Sequence, residues 1–261
     1  MRENNNISVP SVVSAIALFV CIVLRGLCLI FNWGHAGNYA FYALIGVTVA
    51  AVAYRSFKQK EYKKASELKN DLKPYAVGAA IGFILEFINC VITACVIAES
   101  EHKSYIALIA LIIGGVFALL SSLYMIAVSL SCGKTSYDFR TLRFLHLAPL
   151  LWAIAELVYL IPNAPNFKSD VFSVLKICAL IFGILFFYMF IVELENENGA
   201  KPQTVFVSKA FAYFALLLFF SRAFEVMSKN AQLAADESLF ALSILLIGLF
   251  AHYYRRELTN I

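Results

Sequence analysis

Four ionisable residues lie inside long apolar stretches of this chain: Arg25, Glu86, Glu156 and Arg222. Glu156, for example, interrupts the apolar run at residues 142–161. A charged side chain in the interior of a bilayer costs about 3 kcal/mol or more unless it meets an opposite charge or a water-filled cavity. Residues of this kind therefore pair with one another, bind a charged ligand or relay protons.

Lys176 and Glu225 also fall inside apolar stretches, and Glu225 follows Arg222 at a spacing that allows an ion pair along one helix. With the spans given below, these six charges share the outer half of the membrane, three cationic and three anionic. Counted along the helices, three of the first four lie roughly 9 Å below the outer boundary, and Glu86 lies nearer the middle. The balance predicts either a polar site that opens outward and binds a small charged or zwitterionic solute, or a network of ion pairs that only fixes the helices in register.

One face of the third apolar stretch combines small and polar residues. Gly78, Gly82, Glu86, Asn89 and Thr93 follow helical spacing along it. Glycines allow two helix backbones to approach closely, and the polar groups can form hydrogen bonds across the interface. We therefore expect this face to point into a helix bundle. The residues predicted for the site or ion-pair network are Arg25, Glu86, Asn89, Glu156, Lys176, Arg222 and Glu225.

The composition indicates the elements that position these side chains. Hydrophobic residues make up 61% of the 261 residues and charged residues 15%, whereas soluble domains are about half apolar and about a quarter charged. The apolar residues occur in blocks of about 20, the length that crosses a hydrocarbon core. The chain is therefore predicted to be an all-α integral membrane protein, with one polytopic domain over residues 1–261 and no soluble domain. Eight transmembrane helices are expected, at residues 9–31, 38–54, 74–98, 105–130, 142–161, 171–192, 205–227 and 239–254.

Short connections make neighbouring helices antiparallel, so the eight spans are expected to form four hairpins. The hairpin units cover approximately residues 9–54, 74–130, 142–192 and 205–254. The central charges of the odd-numbered spans recur at spacings of 61, 70 and 66 residues. A near-constant period is what an internal duplication leaves, although apolar helices also resemble one another through composition alone. The corresponding glycines of the even-numbered spans are Gly46, Gly115, Gly183 and Gly248.

The distribution of Lys and Arg predicts the orientation of the chain. A path with both termini inside places 15 of these residues in inner segments and 3 in outer loops. Because positive loops remain on the cytoplasmic side, we expect a cell-membrane protein with cytoplasmic N- and C-termini. Seven of the inner residues lie at 55–73, a segment that either lies on anionic lipid as an amphipathic helix or is a solvated loop.

Familiar catalytic and cofactor motifs are absent from the sequence. It contains no phosphate-binding loop, no zinc-binding His-Glu-x-x-His and no nucleophile elbow. The six cysteines are expected to act as small buried residues without disulfides, and the four histidines do not cluster. We therefore predict no catalytic residue, no metal ligand and no cofactor. Basic residues restricted to short loops also argue against nucleic-acid binding.

The first functional hypothesis is a small permease or solute-binding membrane component. Arg25 and Arg222 would bind an anionic group, and Glu86 or Glu156 a cation or proton. The alternative is a non-transporting interaction, assembly or sensory subunit, in which the charges are structural. Its partner would be a lipid surface or a cytoplasmic or membrane protein, contacted through residues 55–73 and 193–197. A membrane-embedded enzyme is the third reading and the least supported.

Overall fold

The described part of the chain is helical, without β-strands. The computed structural model describes residues 9–31, 33–58, 70–99, 104–133, 143–163, 171–195, 202–229 and 235–259. Most of the predicted basic segment, residues 59–69, and residues 196–197 lie outside the described residues. The helices are α1 (Val9–Ile30), α2 (Gly34–Lys58), α3 (Lys73–Glu99), α4 (Tyr105–Ser131), α5 (Arg143–His146), α6 (Ala148–Asn163), α7 (Val171–Glu195), α8 (Pro202–Lys229) and α9 (Ala235–Thr259).

Among the described residues, seven helical segments are long and apolar enough to cross a membrane, which makes the chain a multi-pass membrane protein. They correspond to all predicted spans except the first. The first predicted span falls on α1, a helix of 22 residues whose side chains are described only from Ile16 onward, so an eighth crossing stays a prediction. The seven segments are Gly34–Lys58, Asn70–Glu99, Tyr105–Ser131, Phe144–Ile161, Val171–Glu193, Pro202–Met227 and Glu237–Arg255.

Six of the long helices form a closed ring. In order around it, α3 packs on α4, α4 on α6, α6 on α7, α7 on α8, α8 on α9, and α9 returns to α3. The hairpin of α1 and α2 lies beside this ring, and both of its helices pack on α8. The first hairpin therefore occupies a different position from the other three. The internal repeat remains a prediction from spacing.

Small residues set the closest approaches between helices of the ring. A Cβ atom added at Gly82 of α3 would lie 2.9 Å from the carbonyl oxygen of Ser243 in α9. One added at Gly248 would lie 2.5 Å from Cβ of Ala215, where α9 meets α8. Gly78, one turn before Gly82, has no atom within 4 Å of such a position. Only one of the two glycines predicted for close packing on α3 has that role.

A short break precedes α6. The helix α5 ends at His146, and α6 begins at Ala148, with Pro149 as its second residue. Proline lacks the amide hydrogen that an interior helical position would donate, and it is tolerated in the first turn, where no such bond is needed. Regular bonding resumes with the amide of Leu151, which donates to the carbonyl of Leu147 at 2.9 Å. The break lies at the start of the span Phe144–Ile161.

The two halves of the ring interior differ in chemistry. Toward one end, Phe83, Trp152 and Phe187 form an aromatic layer, with the Phe83 ring edge-on to Trp152 at 5.1 Å and 5.9 Å from Phe187. The buried charged residues Glu86, Glu156 and Lys176 lie in the other half. Large apolar side chains are exposed on the outside, where a bilayer would solvate them; on α3 and α4 they include Ile81, Ile84, Ile88, Val91, Ile109, Ile112, Val116, Leu119 and Leu123.

Candidate functional site

The six predicted intramembrane charges fall into three separate groups. Glu86, Glu156 and Lys176 lie inside the ring, contributed by α3, α6 and α7. Arg222 and Glu225 lie near one end of α8, with a partner on α9. Arg25 lies between the first hairpin and α8. The six charges, which balance in total, therefore lie in three different local environments.

The most buried group contains two carboxylates and a thiol. One oxygen each of Glu86 and Glu156 and the sulfur of Cys90 all lie within 4.8 Å of one another. The exposed fractions of these residues are 0% for Glu86, 2% for Glu156 and 1% for Cys90. We call these three residues the central cluster. It lies where α3 faces α6.

Glu86 and Glu156 reach the same level although they lie at different distances from their helix ends. Sequence counting placed Glu86 deeper than Glu156, yet their carboxylate oxygens come within 4.8 Å. Glu86 precedes the end of α3 by 13 residues and Glu156 precedes the end of α6 by 7. The helix α3 thus continues roughly 9 Å further past the cluster than α6 does. Counting residues from the helix ends therefore did not indicate that these two carboxylates meet.

Short hydrogen bonds orient the central cluster. The Cys90 thiol donates to Oε1 of Glu156 at 3.2 Å, and it lies one turn after Glu86 on the same face of α3. Asn89 Nδ2 donates to Oε1 of Glu86 at 3.2 Å, and Ser243 Oγ donates to its Oε2 at 2.8 Å. Both oxygens of Glu86 therefore have a donor, one from α3 itself and one from α9.

The third side of the central cluster is the backbone of α4. A Cβ atom at Gly114 would lie 3.5 Å from Oε1 of Glu156, and one at Gly115 would lie 3.4 Å from Cβ of Cys90. The adjacent glycines let α4 pass close to both polar groups. The helix α4 therefore forms a wall of the cluster at van der Waals distance.

Lys176 compensates the carboxylates only at longer range. Its Nζ lies 3.9 Å from the centroid of the Phe240 ring and 6.0 Å from that of Tyr159. Among the described residues, no ion pair within 4.0 Å joins it to Glu86 or Glu156. With all three ionised, the group carries one net negative charge.

Two buried polar atoms near the central cluster have no hydrogen-bond partner in the described part of the chain. They are Oδ1 of Asn89 and Nε1 of Trp152. The Asn89 amide already contacts Glu86, and Trp152 precedes Glu156 by one helical turn. Leaving such an atom unsatisfied costs about 1–3 kcal/mol. Of the two, the Asn89 oxygen is an acceptor available to a polar occupant beside the cluster.

Arg222 belongs to an ion-pair group that joins two helices. Its Nη1 lies 3.2 Å from Oε2 of Glu225, which confirms the pairing predicted along one helix. It also lies 2.7 Å from Oε2 of Glu237 on α9, a partner that the sequence did not identify. The Nε atom donates to Ser238 at 3.4 Å. This arrangement holds α8 and α9 together near their connection.

Arg25 anchors the first hairpin to the ring. Its Nε donates to Oγ of Ser221 on α8 at 3.0 Å, and its Nη1 donates to Oδ1 of Asn38 on α2 at 3.3 Å. Its guanidinium carbon also lies 5.9 Å from the centroid of the Phe41 ring. The side chain therefore connects three helices through contacts that lie outside the central cluster.

Sequence reasoning identified Glu86, Asn89, Glu156 and Lys176 but missed Cys90 and Ser243. The four-residue spacing of Glu86 and Cys90 was a usable signal, because residues at that spacing share one helix face. Ser243 carried no signal, since its contact with Glu86 depends on the packing of α9 against α3. No protein-family model, curated protein or solved structure matches this chain.

Proposed function

We propose that this protein is a small permease or solute-binding membrane component whose solute is a small cation, bound by Glu86 and Glu156. One observation carries the proposal. Two buried carboxylates approach within 4.8 Å in the ring interior, and no described cation lies within 4.0 Å of either. A bound cation would relieve their mutual repulsion and the cost of burying their charges.

The other charged groups support this assignment by contrast. Arg222 forms two ion pairs at the edge of the ring, as a structural role requires. Arg25 is held by Ser221 and Asn38. Neither arginine is placed to bind an anionic group beside the central cluster, which favours a cationic solute over an anionic one. A zwitterionic solute would have to use Lys176 for its acidic group.

The proposed access is from the half of the ring that the sequence predicts to face outward. The aromatic layer lies on the other side of the central cluster, because Phe83 precedes Glu86 and Trp152 precedes Glu156 by about one turn each. Three buried rings at this level would separate a bound solute from the predicted cytoplasmic side. Release inward would then require these rings to move apart.

The test is cation binding and uptake by the purified chain in proteoliposomes. Glu86→Gln and Glu156→Gln keep the shape of each side chain and remove its charge, so both should abolish cation-dependent uptake. Glu99→Gln, at the exposed end of α3, is the matched control and should leave uptake unchanged. Size-exclusion chromatography establishes whether each variant folds.

The competing role as a non-transporting subunit predicts a different result. If the charges are only structural, one of two results is expected. Either the parent protein takes up no cation, or the Glu86→Gln and Glu156→Gln variants take up cations as well as the parent protein does. Either result with correctly folded protein would overturn the proposal. Loss of a co-purifying protein after charge reversal at residues 55–73 would favour the subunit instead.

A further inference from the structure

The ligand atoms of the central cluster have the spacing of a compact metal site. Tetrahedral Zn²⁺ with oxygen and sulfur ligands requires ligand atoms roughly 3.3–3.8 Å apart. The sulfur of Cys90 and Oε1 of Glu156 are 3.2 Å apart, and the whole set lies within 4.8 Å. Rotamer adjustments of less than about 1.5 Å would bring all three atoms onto one ion.

A further oxygen atom borders the central cluster. Asn89 is 5% exposed, and its Oδ1 has no hydrogen-bond partner among the described residues. Its Nδ2 already donates to Glu86, so the amide lies at the edge of the central cluster. An amide oxygen without a partner is a suitable neutral ligand, and binding an ion would satisfy it.

We propose that Glu86, Cys90 and Glu156, with Oδ1 of Asn89, bind a divalent transition-metal ion of borderline softness, of the Zn²⁺ type. The inference rests on the proposed function and names its solute class. It departs from the sequence-based expectation of no metal ligand. That expectation arose because the ligands come from two helices and their spacing of 66 residues between Cys90 and Glu156 matches no local motif.

The charges inside the ring favour a divalent ion. A thiol binds metal as thiolate, so its proton leaves when the ion binds. Two carboxylates, one thiolate and the Lys176 ammonium then sum to −2, which a divalent ion neutralises. A monovalent ion would reach neutrality only with the thiol protonated, and Cys90 would then not be a ligand. Neutrality matters here because the bilayer and protein interior do not stabilise a net charge.

The donor types select among divalent ions. Mg²⁺ and Ca²⁺ prefer six or more oxygen ligands, and a thiolate is a poor ligand for either. A thiolate combined with carboxylates suits the borderline first-row metals. Ser243, through its 2.8 Å hydrogen bond, would orient the Glu86 carboxylate as an outer-sphere group. Lys176 remains over the Phe240 ring, where it contributes charge without occupying a ligand position.

Cobalt(II) spectroscopy on the full-length protein in nanodiscs tests the site directly. Bound Co²⁺ should show a sulfur-to-cobalt charge-transfer band that stoichiometric Zn²⁺ abolishes and Mg²⁺ does not. Cys90→Ser should remove the band. Cys95→Ser is the matched control, because Cys95 lies on the same helix but is exposed, and it should keep the band. Glu156→Gln should lower Co²⁺ affinity by at least about 100-fold, since even outer-sphere changes cost about 10–100-fold.

Two results would overturn the metal site. One is a Co²⁺ complex of the parent protein without the sulfur band, and the other is a band that survives Cys90→Ser. If Cys90→Ser does not fold, X-ray absorption of the Zn²⁺-loaded parent protein decides the question. One sulfur ligand supports the site, and oxygen or nitrogen ligands alone refute it.

The same measurements separate this inference from the proposed function. Glu86-dependent uptake of another cation, without the sulfur band, would retain the permease and refute the metal site. A sulfur band without uptake of Zn²⁺ into proteoliposomes would retain the metal site and refute the permease.

Discussion

Replacing Gly82 with alanine tests whether the contact between α3 and α9 supports the central cluster. The new Cβ would lie 2.9 Å from the Ser243 carbonyl oxygen, and contacts are ordinary only from 3.4 Å, so the backbones must separate by about 0.5 Å. Its other close neighbours, Ile247 and Leu246 at 3.2 Å, belong to the same segment of α9. Overpacking of this kind costs about 1–3 kcal/mol.

The same movement should weaken the site. The bond from Ser243 Oγ to Glu86 is 2.8 Å, and a 0.5 Å separation would lengthen it to about 3.3 Å, outside the usual range for hydroxyl donors. Gly82→Ala should therefore lower cation affinity as well as stability. We expect cation affinity and stability to fall together in this variant.

Gly78→Ala is the matched control, one turn earlier on the same helix. No atom lies within 4 Å of its added Cβ, so only the gain in helix propensity of about 0.5–1 kcal/mol should remain. Because Gly82→Ala gains the same helix propensity, that gain cancels, and the two variants should differ by the overpacking cost of about 1–3 kcal/mol in unfolding free energy, measured by SDS titration in mixed micelles. If Gly82→Ala is as stable as Gly78→Ala and binds cations equally well, the inferred contact is wrong.

Three further substitutions separate structural from binding roles. Arg222→Gln removes two partly exposed ion pairs. It should lower the free energy of unfolding in SDS by about 0.2–1 kcal/mol per pair and leave cation binding unchanged. Loss of cation binding in this variant would contradict a structural role for Arg222. Arg25→Gln removes two hydrogen bonds that hold the first hairpin against α8. It should accelerate proteolysis near residue 32. A Co²⁺ titration should give the same affinity as the parent protein. In a Trp33→Phe variant, Trp152 is the remaining tryptophan. Co²⁺ should quench its fluorescence, and the affinity from this quenching should equal the affinity from the absorbance titration. Unchanged fluorescence on Co²⁺ binding would place the ion away from Trp152.

Several features of the fold were predictable from local sequence. Seven of the predicted spans are helical segments of membrane-spanning length, because apolar blocks of about 20 residues have few other stable arrangements in a bilayer. The pair Arg222–Glu225 was predictable from its three-residue spacing. The inward face of Gly82, Glu86 and Asn89 was likewise readable from helical periodicity, and all three are buried.

The last predicted span was readable from composition in the same way. Although it is short and contains His252, it satisfies the length and composition of a membrane helix as Glu237–Arg255. The connection of the first hairpin to the ring, in contrast, was outside sequence reasoning. It depends on Arg25 meeting Ser221, 196 residues later in the chain.

The sequence by itself determined which segments are helices and which side chains are too costly to face lipid, because both follow from local composition and periodicity. Only the tertiary structure decided which charges meet. Ring closure brings Ser243 to Glu86 across 157 residues, and uneven helix ends bring Glu86 level with Glu156. Such pairings depend on how small residues and side-chain shapes let helices approach, and those three-dimensional properties leave no periodic trace in one chain. In the structure, the six charges divide into Arg25, the pair Arg222–Glu225, and a buried group in which two carboxylates face one lysine.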